Sequence, residues 1–480
     1  MGTVVSASSR EDSEQTVSAS CGAHHYMGRS SFRPLIFVIT GFAWLLLSTL
    51  VGLALLIGLV HGTPLPSWLR LVHVHAILIG GILQLMIGGL LASLCSNSQS
   101  SHAGLNSRPW LFAILNTATI LLLLGFGFGN MKVVGGAGII LIGAIASIAP
   151  VAWHYARQSH TQIAGSSWLY RFSLISLLVG LIISVAMAFQ FVQEYYAHAR
   201  LLHLHLILLG FVTMALIGAT HRLLPMVLKV NLYSPNLARF VMVALPVGFA
   251  MLTGGFITSS LRLELAIGGL LILSIGLYAY NLLRTWIGSG HSGNAASDHL
   301  LVATFFLVLM MIMGVLVGVN FLPQSQALPF GSLHLAAYTH MALIGFILQS
   351  VFGALSYGIP EILAADRTVN RKRQEPYREQ LAAIIDRWRA VQLTGLSLGT
   401  MGFGLLAALT WNFPLSSPAI QIATWVTVGL LLGSLTIFTA KLAWALGVMP
   451  SGAVVSLPNK RLKVLASTEK VEPPMRNIAS

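Results

Sequence analysis

Long apolar runs separated by short polar connections set the pattern of this chain. Runs of about twenty or more mostly apolar residues, enough to cross a hydrocarbon layer of about 30 Å, begin near Leu35, Trp68, Trp110, Val133, Trp168, Leu201, Leu237, Leu263, Leu300, Leu333, Trp388 and Ile420. The pattern predicts twelve membrane-spanning segments. In lipid every backbone polar group must be satisfied internally, and no run alternates like a barrel strand, so the fold class is an all-α integral membrane protein. Residues 1–34 are Ser-rich and polar, without a short apolar stretch ahead of a cleavage site, which predicts a disordered cytoplasmic tail and not a signal peptide. Residues 35–447 form the membrane domain, and 448–480 a cytoplasmic tail whose last twenty residues are expected to be disordered. The stretch Pro376 to Trp388 reads equally as a short amphipathic surface helix or a charged loop.

The polar residues inside the runs recur in register. Arg70-Leu-Val-His73-Val-His75, Arg200-Leu-Leu-His203-Leu-His205 and Tyr338-Thr-His340 each lead into a glycine-containing apolar stretch. Counted from His75, His205 and His340, glycine stands at +5 (Gly80, Gly210, Gly345) and at +13 (Gly88, Gly218, Gly353); the latter two copies share proline at +20, Pro225 and Pro360. The copies are 130 and 135 residues apart, which predicts a unit of four helices used three times.

Composition agrees with the pattern. At 56% hydrophobic and 8% charged residues the chain is too apolar for a soluble globular protein. A formal charge of +14 would suggest nucleic acid in a soluble chain; here the basic residues sit in connections that face an anionic leaflet, and no nucleic-acid partner is expected. They concentrate in the tails and after the even-numbered helices, as at Arg108, Arg157, Lys229, Arg284 and Arg371 to Arg373, so both termini are predicted to be cytoplasmic. Two cysteines, Cys21 and Cys95, form neither a disulfide framework nor a covalent haem attachment motif.

With that orientation the second, sixth and tenth helices run inward in parallel, and their histidines form a layer near the outer face. Residues i and i+2 of a regular helix project roughly 200° apart, so His203 and His205 face different compartments. Glycines at +5 and +13 bracket the direction of His203. They make either a groove for a flat macrocycle or a site of close helix packing, the commoner use of membrane glycine. An intramembrane histidine is functional or is bonded to a carbonyl. For one residue the two readings balance; for His73, His75, His203, His205, His334 and His340 in repeated register the functional one stands ahead. Imidazole suits haem iron, copper and zinc, and no thiolate or carboxylate cluster accompanies it. Arg70 and Arg200, one turn outward from His73 and His203, can pair with haem propionates or extend to the interface. His221, His154 and His160 lie at cytoplasmic ends, where snorkelling or capping accounts for them. His24, His25, His102 and His291 fall in tails or loops and are assigned no role.

At these residues the chain resembles subunit I of the haem-copper oxidases, in particular the branch of cbb-type oxidases and bacterial nitric oxide reductases. THMALIGFILQSVFGALSYGIPEIL is similar to that branch's tenth helix, in which H-x-H precedes a glycine-rich run ending in Ile-Pro; VHVHAILIGG resembles its second helix and HLILLGFVTMALIGATHRLLP its sixth. The resemblance spans most of Leu35 to Gly447. It implies a low-spin, bis-histidine haem b held by His73 and His340, and places His205 on a copper ligand, with His75 a further candidate for metal. Where the family's high-spin haem ligand stands, this chain has Tyr338, with His334 a turn outward as a substitute. The family's seventh helix supplies two adjacent histidines to copper; Asn236 to Ser260 contains none, so the copper site is incomplete, while a second haem stays open. The loop between helices 11 and 12 also lacks the family's arginine pair.

The resemblance implies a respiratory oxidoreductase of the terminal oxidase or nitric oxide reductase type in a bacterial inner membrane. It would be served by a cytochrome c or quinol donor and accessory subunits, with O2 or NO reduced at a site around His203, His205 and His334. Two other readings stay open: a non-redox transporter using the histidine layer for protons or metal in transit, and a haem-based sensor or assembly protein without catalysis.

Overall fold

A computed structural model describes residues 34–96, 109–158, 166–290, 293–319, 332–368 and 370–450. The expected tails, the cysteine Cys21, and His24, His25, His102, His160 and His291 lie outside these residues. All regular elements among the described residues are helical, and twelve are long and apolar enough to cross a membrane. In chain order spans 1 to 12 are Leu35–Val60, Trp68–Ala92, Pro109–Gly127, Met131–Pro150, Trp168–Ala188, Gln193–Leu228, Pro235–Thr258, Leu261–Gly288, Ala295–Val317, Leu333–Arg367, Arg389–Leu409 and Pro418–Gly447. Serine caps start several of them: Ser234, Ser260 and Ser417 accept from the backbone N–H three residues on, and proline fills the first turn after Ser234 and Ser417.

Each span packs against the next, and span 12 returns to span 1, closing the bundle. Within it, 61%, 61% and 83% of the most apolar stretch of spans 2, 6 and 10 is buried, against at most 50% in any other span. The three histidine-bearing spans are therefore the interior of the bundle. The outer spans turn residues such as Leu47, Ile182, Phe305 and Ile422 outward, as lipid contact requires.

Spans 2, 6 and 10 are not regular α-helices. Directly after His75, His205 and His340 each passes into eight residues of π-helix, Ala76–Leu83, Leu206–Thr213 and Met341–Leu348, and returns to α-helix at Gln84, Met214 and Gln349. Such stretches are rare and concentrate at functional sites. They also overturn the angular estimate for the glycines at +5, which assumes a regular helix. A Cβ at Gly80 would lie 2.6 Å from Trp44, at Gly210 2.8 Å from Ser176, and at Gly345 2.5 Å from Phe306. These glycines let spans 1, 5 and 9 approach closely, so they are packing positions and not the floor of a groove.

The stretch left open as helix or loop is a helix, Arg371–Asp386, packed on spans 10 and 12. Arg378 donates to Glu361 Oε1 at 2.8 Å and to Glu375, whose carboxyl this hydrogen bond holds below its ordinary range. Arg367 fixes the junction. Its guanidinium donates to the carbonyls of Val448 (2.6 Å) and Leu446 (2.8 Å) and to the Tyr377 hydroxyl (3.0 Å), which itself donates to Val448 (2.7 Å). Hydrogen bonds to a charged group contribute about 1.5–3 kcal/mol each. Arg367→Ala is therefore expected to lower the thermal unfolding temperature in detergent; an unchanged transition would show the junction to be dispensable.

Candidate functional site

The histidines gather at the end where spans 2, 6 and 10 begin. His73, on span 2, is buried at 8% exposure. Its Nδ1 lies 2.7 Å from the Ser48 carbonyl, and since a carbonyl only accepts, Nδ1 carries the proton. The Ser48 hydroxyl donates to the His73 carbonyl at 2.6 Å, fixing span 1 to span 2 at this level. Behind the ring is Gly52, where a Cβ would lie 2.6 Å from Cε1 and 3.0 Å from Nε2. The remaining nitrogen, Nε2, is an unprotonated, buried acceptor without a hydrogen-bond partner. Leaving such an atom unsatisfied is costly unless something else takes its lone pair.

His340, on span 10, is arranged to match. Its Nδ1 donates to the Ala336 carbonyl at 2.7 Å, and its ring lies parallel to Phe403 of span 11 at 4.2 Å and 14°. The His73 and His340 ring centres are 6.3 Å apart with planes at 15°. An imidazole nitrogen sits about 2 Å from a bound metal and about 1.2 Å from its ring centre, so two imidazoles on opposite sides of one ion have centres roughly 6.4 Å apart. The observed separation matches. On each ring Nδ1 is tied to a backbone carbonyl, as a metal ligand's outer partner is, which leaves Nε2 as the unprotonated nitrogen.

The other two copies repeat the contacts. His75 and His205 donate from Nδ1 to the carbonyl four residues back, Leu71 at 2.8 Å and Leu201 at 2.9 Å, as His340 does. Each also packs on a phenylalanine of the following span: Phe126 at 4.6 Å for His75 and Phe256 at 4.5 Å for His205. His203 donates to Gly180 of span 5 at 2.9 Å, as His73 does to Ser48 of span 1. His203 and His205 thus face different neighbours, as their spacing predicts. Tyr338 stands at the corresponding place in span 10, its hydroxyl against Gly314 of span 9, where a Cβ would lie 3.2 Å away. His75, His203, His205 and His340 are part-buried, whereas His73 is buried.

His334 is placed differently from the others. Its Nε2 accepts from the Trp411 indole N–H at 2.7 Å and the two rings stack at 16°, which engages the nitrogen a metal would need. Arg70 and Arg200 are exposed at the same end of the bundle. Among the described residues no three or more His, Cys, Asp or Glu side chains come together to hold a metal ion. A paired imidazole site without a third protein donor suits an ion whose other positions are filled by a macrocycle.

Toward the other end lies a polar cluster absent from the sequence-based expectations. Lys441 Nζ donates to Gln392 Oε1 at 2.7 Å, Gln392 Nε2 to His299 Nε2 at 3.1 Å, His299 Nδ1 to Gln349 Oε1, and Gln349 Nε2 to Ser397 Oγ at 3.1 Å. Lys441, Gln392, His299 and Gln349 are each at most 2% exposed. A chain of donors and acceptors ending on a buried amine can hold and pass a proton. The signal for it was a lone lysine inside the apolar run from Pro418 to Gly447. His221 also corrects its reading as an interfacial residue: it is fully buried, donates to the Ile217 carbonyl at 3.1 Å, packs 4.9 Å from Tyr278, and leaves Nε2 without a partner.

The twelve spans and their buried interior define an integral, polytopic membrane protein. No protein-family model matches the chain, and comparison with curated proteins gives no match.

Proposed function

We propose that this chain is a haem-binding membrane oxidoreductase of the haem-copper oxidase subunit I type, in which His73 and His340 hold a low-spin haem b. The observation that carries the reading is the near-parallel pair of rings 6.3 Å apart, one of them with a buried, unpartnered Nε2. A haem bound there supplies a one-electron centre within the membrane. The protein's own residues do the positioning. Ser48 and Ala336 fix the tautomers, Gly52 leaves room for one ring, and Phe403 supports the other. The repeated π-helical starts and histidine contacts support three units of four spans. The basic residues after the even-numbered spans support cytoplasmic termini and a histidine layer toward the outer face, and the resemblance implies a bacterial inner membrane. A cytochrome c or a quinol would be the donor, and O2 or NO the terminal acceptor at a second site.

The lack of a three-residue metal group among the described residues favours a variant of this reading. In it the haem serves electron transfer or gas sensing and copper is not part of the site. Purified protein reduced chemically, exposed to O2 or NO, and assayed for haem and copper per chain tests both. A reducible b-type spectrum that reoxidises supports the oxidoreductase, one without copper favours the variant, and a colourless protein defeats both.

A further inference from the structure

The paired site has a counterpart elsewhere in the same layer. The contacts of His73 recur at His203: each lies two residues before the last histidine of its span's opening helix, and each donates from Nδ1 to a carbonyl of the preceding span, Ser48 or Gly180. The contacts of His340 recur at His75: each donates to the carbonyl four residues back, packs on a phenylalanine of the following span, and is followed at once by eight residues of π-helix. The rotation that carries the third copy onto the first and the first onto the second therefore carries the pair His340–His73 onto His75–His203.

A second feature travels with the pair. Arg70 stands three residues before His73 and Arg200 three before His203, both exposed at the histidine end. In the third copy the corresponding residue is Leu335, and the residue three further on is Tyr338, not histidine. The cation is present in the two copies that carry the imidazole and absent from the one that lacks it. An iron macrocycle brings anionic carboxylates, and an exposed guanidinium one turn outward from its ligand is placed to pair with them.

We infer that His75 and His203 are the axial ligands of a second haem, held between spans 2 and 6 as the first is between spans 2 and 10. Span 2 then serves both centres, His73 on one side and His75 on the other, because residues two apart on a helix project to different sides. The interface between spans 6 and 10 pairs His205 with Tyr338 and is not a third bis-imidazole site. The chain accordingly carries two low-spin haems, each with a protein cation at its rim. This inference rests on the haem reading of the first pair and deepens it.

The test is haem per chain, by pyridine haemochrome against quantitative amino-acid analysis, with low-temperature reduced spectra, on the full-length protein and its His75→Gly, His203→Ala and His340→Ala variants. The expected result is two haems in the wild type and one in each variant. The haem left in His75→Gly and His203→Ala shares one spectrum, which differs from that left in His340→Ala. The remaining haem reports that each variant has folded, and added imidazole restores the second haem to His75→Gly. A wild type with one haem, lost in His340→Ala and retained in His75→Gly and His203→Ala, overturns the second site and leaves the first reading standing. One haem lost in His75→Gly and retained in His340→Ala keeps this site and overturns the first, and a protein without haem overturns both.

Discussion

Replacing His340 with alanine is expected to abolish the haem site proposed between spans 2 and 10, so that the low-spin spectrum assigned to it disappears. Loss of a merely supporting hydrogen bond around a metal ligand lowers affinity about 10- to 100-fold, so loss of the ligand itself is expected to exceed that. His73→Ala gives the same loss from the other side. The two variants differ in what they leave behind. Without His340, the His73 ring remains clamped by Ser48 and backed by Gly52, a rigid single imidazole. Without His73, His340 keeps its Ala336 hydrogen bond and its stack on Phe403. Optical spectra and haem content of the two variants check this; unchanged low-spin haem in either would remove that residue from the site.

Alanine at Gly52 is expected to do nearly as much damage with a single methyl group. The added Cβ would lie 2.6 Å from Cε1 and 3.1 Å from Nδ1 of His73, closer than side-chain atoms pack, and the ring cannot retreat while Nδ1 holds the Ser48 carbonyl. Overpacking of this kind costs about 1–3 kcal/mol, which falling on haem binding is roughly a 5- to 150-fold loss of affinity. Gly276→Ala, at a site with no atom within 4 Å of the new Cβ, is the matched control and should bind haem as the wild type does. Haem titration of the apo forms measures both. Equal affinity in Gly52→Ala and Gly276→Ala would mean that His73 is not held where its hydrogen bonds place it for ligation.

The membrane architecture is written in the chain because lipid leaves few alternatives: a run long enough to cross must be helical and apolar. Span 1 begins at Leu35, as its apolar run does. Where the boundary shifts, polar residues are the cause. Span 9 starts at Ala295 and not near Leu300, since Ser297 and His299 interrupt the apolar run yet are buried in the helix. Span 6 starts at Gln193, because the polar turns ahead of Leu201 continue the helix out of the hydrophobic layer.

The site was legible only in part. Register places the histidines at one depth, but depth does not say which rings meet, and the pairing of His73 with His340 came from the resemblance. The π-helical stretches have no local signature in Ala76–Leu83, Leu206–Thr213 or Met341–Leu348 beyond a shared glycine. Their glycines pack against spans 1, 5 and 9, contacts that no single span encodes. Gly52 looks like any other glycine in an apolar run, and its role exists only once His73 is folded against it. Lys441 was readable, since a lysine inside an apolar span demands a partner. Its partners Gln392 and His299 lie 49 and 142 positions away and only the fold joins them.

The most direct measurement is electron paramagnetic resonance of the oxidised, purified protein alongside its His73→Ala and His340→Ala variants. The account predicts a low-spin ferric signal from iron held by the nearly parallel imidazoles of His73 and His340, lost in both variants, while the signal of the haem assigned to His75 and His203 stays. A wild-type protein without haem iron, or low-spin signals left unchanged in either variant, would contradict it.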